Sequence, residues 1–521
     1  MDTRKEIERD ELHRAIWNIA NELRGSVDGW DFKQYVLGFM FYRYISENLT
    51  NYINTNERAA GNKTFDYAKL SDEEAEGARE DLVKTKGFFI LPSQLFANVR
   101  KNAKADKDLN ITLSNVFKAI EASSLGEDSE NDFKGLFKDV DTNSDKLGPT
   151  QPAIKKHLEA LLDGIGEMKL GNYEDNSIDA FGDAYEFLMG MYASNAGKSG
   201  GEYFTPQEVS ELLAKLTLVG KTEVNKVYDP ACGSGSLLLK FAKILGKDNI
   251  RGGFYGQEIN PTTYNLCRIN MFLHDIDYDK FNIAHEDTLL HPQHENDAPF
   301  DCIVSNPPYS TKWIGDDDVT LINNYRYSPA GVLAPKSNSD MAFIMHALSQ
   351  LDTDGTAAIV CFPGIMYRSG KEQKIRKYLI DNNKVDCIIQ LPDNLFFGTS
   401  IATCIMVLKH SKSDNSVLFI DASKEFVKVT NSNKLSEMNI DTIMKIYEER
   451  DPNGVQYVSK LVKNKDIEAQ KYNLTVSTYV EKEDTREVID IVKLNADIKT
   501  IVEKEDKLRK EIDKIIAEIE E

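Results

Sequence analysis

The hydrophobic and polar positions divide the chain into three regions, and the first, residues 1–166, has a helical pattern. Apolar residues recur at three- and four-residue spacing in ELHRAIWNIANELRG and DFKQYVLGFMFYRYISENL, as on one face of a helix. The aromatic residues of the second segment, Tyr35, Phe39 and Tyr42, fit the core of a helical domain better than a base-stacking surface. We therefore predict a helical N-terminal domain.

The second region, residues 167–475, alternates short apolar runs with amphipathic segments. Eight runs have the composition of buried strands: KVYDPA, GFYGQEI, FNIAHED, FDCIVSN, TAAIVCF, VDCIIQL, ATCIMVLK and SVLFID. Helical patterns lie between them, such as SLLLKFAKIL, PTTYNLCRINMFLHD, SDMAFIMHALSQL and EQKIRKYLIDNN. This alternation predicts an α/β fold with a mostly parallel, doubly wound sheet, whose ligands bind beyond the carboxyl ends of the strands.

The third region, residues 476–521, carries a heptad seam. Apolar residues recur there at steps of three and four, with only Glu505 out of register: Ile491, Leu494, Ile498, Ile501, Leu508, Ile512, Ile515 and Ile519. A seam of about four heptads predicts a helix that packs against a partner helix. One amphipathic helix folded back on its own domain is the alternative.

Composition and charge limit the ligands that the chain can bind and the cellular compartment in which we expect it. The net charge of -21 over 521 residues argues against a surface that binds nucleic acid everywhere, so any DNA contact is local or belongs to a basic partner. No apolar run approaches the roughly 18 residues of a membrane helix, and the charged start MDTRKEIERDELHR is unlike a secretory signal. The 6 cysteines are scattered singly, as reduced core thiols are, so we expect the protein to lie in the cytoplasm.

Acidic residues follow three of the predicted strands. KVYDPACGSGSLLL places Asp229 at a strand end, before a glycine turn and a helix whose first N–H groups are free to bind a ligand. The turn lacks the third glycine of the dinucleotide fingerprint. Glu258 and Asp287 end the next two strands, each 29 residues after the previous carboxylate. Three carboxylates at the ligand edge predict a cofactor that contains a nucleoside, with Glu258 accepting from ribose hydroxyls.

The motif Asn306-Pro307-Pro308-Tyr309 stops a buried strand. Its prolines stiffen the turn, so that the Asn306 side-chain oxygen and the Pro307 carbonyl can hold an amine by both hydrogens. Tyr309 offers a face on which a planar base can stack. A tight turn with a packed tyrosine is the alternative.

Upstream of the glycine turn, SGGEYFTPQEVSELLAKL combines a glycine pair, two aromatic residues and a helix start. Thr205, Pro206 and Glu208 have the spacing of a capping box with proline at the first helical position. The segment before them can fold over a ligand that lies on the first strand's turn.

Together, DPACGSGS, GQEIN, HED and SNPPY resemble the motifs of γ-class S-adenosylmethionine-dependent methyltransferases that act on adenine N6. Longer segments, including NAGKSGGEYFTP and NLFFGTSIATCIMVL, resemble the modification (M) subunit of type I restriction–modification systems. This resemblance covers the chain nearly from end to end. The resemblance implies a Rossmann-like methyltransferase sheet with a helical N-terminal domain and a C-terminal helical tail.

The resemblance also implies roles for individual residues. The residues that would close over S-adenosylmethionine are Glu202, Tyr203, Phe204, Thr205, Pro206 and Gln207. Those that would hold its methionine part are Asp229, Gly233, Ser234, Gly235 and Ser236. Glu258 would bind the ribose and Asp287 the adenine amine of the cofactor. Asn306 and Pro307, with Pro308 in the same turn, would grip the target N6. Tyr309 would stack on one face of the base, and Phe396 or Phe397 on the other.

In the type I family a separate specificity (S) subunit recognises double-stranded DNA, two M subunits embrace it, and a restriction (R) subunit adds the nuclease. By the resemblance, the heptad tail would pack against helices of the S subunit. This implies methylation of a flipped adenine at sites that the S subunit selects. Two alternatives stay open: a methyltransferase for another planar amine, such as a protein glutamine or an RNA base, and a scaffold without catalysis.

Overall fold

The computed structural model describes residues 3–22, 29–169, 184, 187–188, 205–396, 400–429, 432–482 and 491–520. All eight predicted strands are present: β1 (Val224–Asp229), β2 (Ile250–Glu258), β3 (Phe281–His285), β4 (Phe300–Ser305), β5 (Leu351–Cys361), β6 (Val385–Gln390), β7 (Cys404–Lys409) and β8 (Ser416–Asp421). Three short strands were not predicted: β9 (Val427–Val429), β10 (Ser432–Lys434) and β11 (Ser459–Lys463). The sequence therefore predicts eight of the nine strands of the main sheet. It misses the edge strand β11 and the separate pair of β9 and β10.

Nine strands form one sheet in the order β11-β8-β6-β7-β5-β4-β1-β2-β3, and β9 pairs with β10. β7 runs antiparallel to β5 and β6, and β11 runs antiparallel to β8. The other pairs in the sheet are parallel. Chain order reverses between β1 and β4, and ligands of open α/β sheets bind at such a reversal, beyond the strand ends.

Helices cover both faces of this sheet. The described α-helices up to the last strand are α1 (Thr3–Glu22), α2 (Gly29–Ala59), α3 (Asp72–Glu76), α4 (Arg79–Lys86), α5 (Phe96–Asn102), α6 (Leu109–Ser123), α7 (Glu130–Phe133), α8 (Gln151–Glu167), α9 (Gln207–Leu218), α10 (Ser236–Leu245), α11 (Pro261–Leu273), α12 (Asp340–Gln350), α13 (Lys371–Asp381) and α14 (Glu437–Glu449). Alternate residues of β4 enter different cores: Cys302 and Val304 pack with α9, α10 and α11, whereas Ile303 packs with α12 and α13. Burial on both faces confirms the doubly wound prediction.

The N-terminal helices form a core that is continuous with one face of the sheet. Tyr35, Phe39 and Tyr42 are all buried in it, which confirms the prediction of a helical core. Polar side chains of α11 fasten this region to the sheet. Asn265 Nδ2 donates to Gly135 O over 2.8 Å. Arg268 Nη1 donates to the carbonyl oxygens of Asn131, Asp132 and Lys134.

The chain divides into two compact units, Met1–Val480 and Glu481–Glu521. The first also contains α15 (Asn464–Ala469), and the second contains α16 (Ile491–Glu520), a single helix of 30 residues. The helix in the tail is confirmed, whereas its partner and the domain boundaries at residues 166 and 475 stay predictions. No described helix is long and apolar enough to cross a membrane.

Candidate active site

Asp229 and the strand end beside it form the centre of the site. Its carboxyl group is fully buried at the end of β1, where Oδ1 accepts from Ala231 N and from Ser305 Oγ, each over 2.9 Å. Oδ2 is buried and has no hydrogen-bond partner in the part of the chain that the structure describes. The pKa of Asp229 is raised to about 7, chiefly by burial; the two hydrogen bonds lower it, and the negative charge of Glu258 raises it. Ser305, which joins β4 to β1, was not predicted, because its position gives no signal in the sequence.

The glycine turn leaves space beside the backbone. Gly233 has φ +54°, and a Cβ built there meets nothing within 4 Å. Gly235 has φ +81°, and a Cβ there would lie 2.8 Å from Cys267 Sγ, so this glycine is required by the packing of α11. Ser234 is buried between the two glycines, and Ser236 begins α10 without a side-chain cap on its first N–H groups. Gly233 is therefore the position at which a ligand can approach the main chain.

The two other predicted carboxylates lie at the same edge. Glu258 ends β2, and its Oε2 accepts from Gly233 N over 3.0 Å, so it also holds the glycine turn. Asp287 lies two residues beyond the end of β3. Its Oδ1 accepts from Leu289 N over 2.9 Å and from Leu290 N over 3.3 Å. The parallel strands thus bring all three carboxylates to one side of the sheet.

The Asn-Pro-Pro-Tyr turn follows β4 directly and lies beside the end of β1. Asn306 and Pro307 are buried, while Pro308 and Tyr309 are partly buried. The Asn306 amide is oriented by two contacts: Nδ2 donates to Thr205 Oγ1 over 3.0 Å, and Oδ1 accepts from the Tyr309 hydroxyl. The turn therefore presents an oriented amide oxygen with an aromatic ring close to it.

Thr205 has a different role from the one its spacing predicts. α9 begins at Gln207, its N-cap is Pro206, and no side chain caps it, so the predicted capping box is wrong. Thr205 lies one position too early to cap the helix, and its hydroxyl accepts from Asn306 instead. The segment before α9 is thereby tied to the turn after β4.

Several predicted residues are not brought into the site by the described structure. Glu202, Tyr203, Phe204 and Phe397 lie outside the described residues. Phe396 is described and is only 4% exposed, packed in the core on one face of the sheet.

The polar groups without partners indicate what the site can hold. Besides Asp229 Oδ2, the oxygen and nitrogen of the Gln207 side-chain amide are buried without a hydrogen-bond partner among the described residues. Buried polar atoms in folded proteins are usually paired, so an unpaired carboxylate oxygen and an unpaired amide favour a polar ligand. The carboxylate favours a cationic donor such as an ammonium group. These residues fit a cofactor that joins an amino acid to a nucleoside.

Two family models match the chain: "N-6 DNA Methylase" over residues 176–488 and "HsdM N-terminal domain" over residues 12–165. The chain is 49% identical to the type I restriction enzyme MpnII methylase subunit of Mycoplasma pneumoniae, over 100% of this chain and 98% of that protein. It is 30% identical to the MjaVII methylase subunit of Methanocaldococcus jannaschii, over 91% and 79%.

A solved structure agrees with these sequence matches. The methyltransferase subunit of a type I restriction–modification system from Streptococcus thermophilus superposes with a TM-score of 0.80 at 31% identity, covering 91% of this chain and 100% of that one. Both the sequence and the fold place the chain in one group: it belongs to the N-6 DNA methylase family, among the methylase subunits of type I restriction enzymes.

Proposed function

We propose that this protein is the modification subunit of a type I restriction–modification complex in the bacterial cytoplasm. It transfers a methyl group from S-adenosylmethionine to adenine N6 in DNA. The single observation that carries the proposal is the hydrogen bond of 2.9 Å from Ser305 to Asp229. Asp229 belongs to the cofactor side of the site, and Ser305 immediately precedes Asn306. The bond therefore brings the site of the methyl donor and the site of the methyl acceptor together where β1 and β4 end.

The cofactor lies against the three carboxylates and the glycine turn in this proposal. Asp229 Oδ2 faces the ammonium group, because it is a buried carboxylate oxygen at this strand end without a hydrogen-bond partner among the described residues. Gly233, Ser234, Gly235 and Ser236 supply main chain for the methionine part, since the turn is open at Gly233. Glu258 binds the ribose and Asp287 the adenine amine. Residues 202–207 close over the cofactor, and the unpaired Gln207 amide supports a polar contact from that segment.

The target adenine is held by the turn after β4. Bound S-adenosylmethionine supplies a methyl group that is already activated on sulfur. Asn306 Oδ1 and the Pro307 carbonyl each accept one hydrogen of N6, which favours a pyramidal nitrogen with an available lone pair. The amine replaces the Tyr309 hydroxyl as the donor to Oδ1, and the Tyr309 ring stacks on the base. Flipping the base costs about a few kcal/mol.

Phe397, and not Phe396, is the second stacking residue in this proposal, because Phe396 is committed to the core. Phe397→Ala should weaken stacking by roughly 1–3 kcal/mol and leave the unfolding temperature unchanged. Phe396→Ala should lower the free energy of unfolding by roughly 3–5 kcal/mol, as large core truncations do. Fluorescence of 2-aminopurine at the target position of DNA bound to the assembled complex measures flipping. A flipping defect confined to Phe396→Ala would reverse the assignment.

The charge of the chain supports a division of labour among subunits. A net charge of -21 suits a catalytic subunit whose DNA sequence is read by a basic partner. The proposed partners are a specificity subunit, a second modification subunit and a restriction subunit. The exposed apolar residues of α16, among them Ile498, Ile501 and Ile512, suit packing against helices of the specificity subunit.

Co-expression with the neighbouring specificity gene, followed by mapping of N6-methyladenine in host DNA, tests the function. We expect methylation at one set of sites with a common sequence, lost when the specificity gene is omitted. Methyl transfer to glutamine-containing protein or to RNA, with unmodified DNA, would favour the other planar-amine reaction. Absence of S-adenosylmethionine binding at saturating concentration would favour a scaffold.

A further inference from the structure

Arg326 is a buried guanidinium that the sequence motifs do not include. It lies in the connection between β4 and α12 and is only 1% exposed. Nη1 donates to Thr288 O and Nη2 donates to Leu289 O, each over 2.9 Å. Thr288 and Leu289 directly follow Asp287, so the guanidinium holds the main chain of the turn that carries this carboxylate.

The same turn fixes the Asp287 side chain from its other side. Leu289 N donates to Asp287 Oδ1 over 2.9 Å. Leu289 O accepts from Arg326 Nη2 over 2.9 Å and from the Tyr327 hydroxyl over 3.1 Å. The orientation of one peptide segment thus decides where the Asp287 carboxylate points. The Thr288 hydroxyl donates to Pro230 O over 2.7 Å, which ties this turn to the one after Asp229.

A histidine connects Arg326 to the strand that ends at Asp229. Arginine can only donate, so the contact of 3.3 Å between Arg326 Nη1 and His346 Nδ1 makes Nδ1 the acceptor. Nε2 of the neutral ring then carries the proton and donates to the Tyr228 hydroxyl over 3.0 Å. Burial and the charge of Arg326 lower the pKa of His346, in keeping with a neutral ring. The network therefore reaches the residues next to two of the three cofactor carboxylates, Asp229 and Asp287.

The connection that carries Arg326 also begins and ends beside the target-base motif. Ser339 N donates to Thr311 O over 2.9 Å, and Ser310 N donates to Asp340 Oδ2 over 3.0 Å. Ser310 directly follows Tyr309, so the segment that leaves the base-binding turn reaches back to the Asp287 turn and is fastened at both places.

We propose that Arg326 is a positioning residue for the adenine of the cofactor. It orients the 287–290 turn so that Asp287 can accept from the adenine amine, and it ties that turn to the target-base motif. This inference rests on the proposed function, in which Asp287 binds the cofactor. The energetic cost of burying the Arg326 charge supports the inference. All the acceptors named above for the guanidinium are neutral, and burying a charge without a carboxylate partner adds little to stability, so stability alone does not account for this residue.

The test compares Arg326→Met with Arg376→Met in the full chain assembled with its specificity subunit. Arg376 is a matched control, because it is also 1% exposed and donates to three carbonyl oxygens, those of Ile365, Arg368 and Tyr472. Both variants should lower the unfolding temperature. Only Arg326→Met should weaken binding of S-adenosylhomocysteine in calorimetry, by roughly 10–100-fold, as outer partners of a ligand-binding group do. Tyr327→Phe, which removes one donor to Leu289 O, should weaken this binding by a smaller factor. It takes the place of Arg326→Met in the test if Arg326→Met does not fold.

Selectivity for adenine separates positioning from stability. The wild-type complex should prefer S-adenosylhomocysteine to its inosine analogue, and Arg326→Met or Tyr327→Phe should reduce this preference while Arg376→Met keeps it. Asp287→Ala is the reference. If Asp287→Ala leaves the preference unchanged, the proposed role of Asp287 fails. If Asp287→Ala abolishes the preference and neither Arg326→Met nor Tyr327→Phe differs from Arg376→Met, the inference about Arg326 alone is overturned.

Discussion

Asn306→Ala is expected to abolish methylation of DNA while leaving the affinity for S-adenosylmethionine largely intact. The variant removes the amide oxygen that accepts from the target amine, and loss of one such preorganised group costs roughly 10²–10³-fold in kcat. Asp229 keeps its contacts, because it is held by Ser305 and Ala231 and not by Asn306, and the segment that closes over the cofactor loses only the bond from Asn306 to Thr205. Single-turnover methylation by the assembled complex measures the first effect, and calorimetry measures the second.

Thr205→Val provides a matched control for this experiment. It keeps Asn306 but removes the hydroxyl that accepts from Asn306 Nδ2 over 3.0 Å, so the amide loses one of its two orienting contacts. We expect a smaller loss of kcat than in Asn306→Ala, of about tenfold. Methylation at the wild-type rate by Asn306→Ala would refute the assignment of the target-base site.

Asp229→Asn is expected to weaken binding of S-adenosylmethionine and to remove its dependence on pH. Burial raises the pKa of Asp229 to about 7, so the free carboxyl group is largely protonated below that pH. Only the ionised form attracts the ammonium group, and hence the affinity of the wild-type protein should rise between pH 6 and 8. Loss of a charge-assisted hydrogen bond of about 1.5–3 kcal/mol corresponds to a weakening of roughly 10–100-fold at pH 8. Calorimetry at pH 6, 7 and 8 compares the two proteins.

The same titration predicts the stability of the ligand-free protein. Because the folded-state pKa of about 7 lies above the ordinary value of 3.8, the folded state binds the proton more tightly in this window. Stability should therefore fall as the pH rises from about 4 to 7, and Asp229→Asn should lose this contribution. Thermal unfolding at pH 5 and 7.5 provides the measurement. A wild-type affinity that is flat between pH 6 and 8 would contradict the role given to Asp229.

Much of the fold could be predicted because the local composition of its strands indicates them. DCIVS in β4 is apolar at its three central positions, as a strand buried on both faces must be, and the two prolines after Asn306 set its end. β11 was missed because SKLVK is short, polar at three positions and covered only in part, which is the composition of an edge strand and of many loops.

The sequence by itself determined that Asp229, Glu258, Asp287 and Asn306 would share one edge, because the carboxyl ends of parallel strands lie on the same side of a sheet. Only the tertiary structure decided what those side chains contact. Thr205 bonds Asn306 across 101 positions, and Arg326 holds Thr288 across 38. Such partners are chosen by how loops meet in space, and hydrogen bonds between distant segments leave no periodic pattern along the chain.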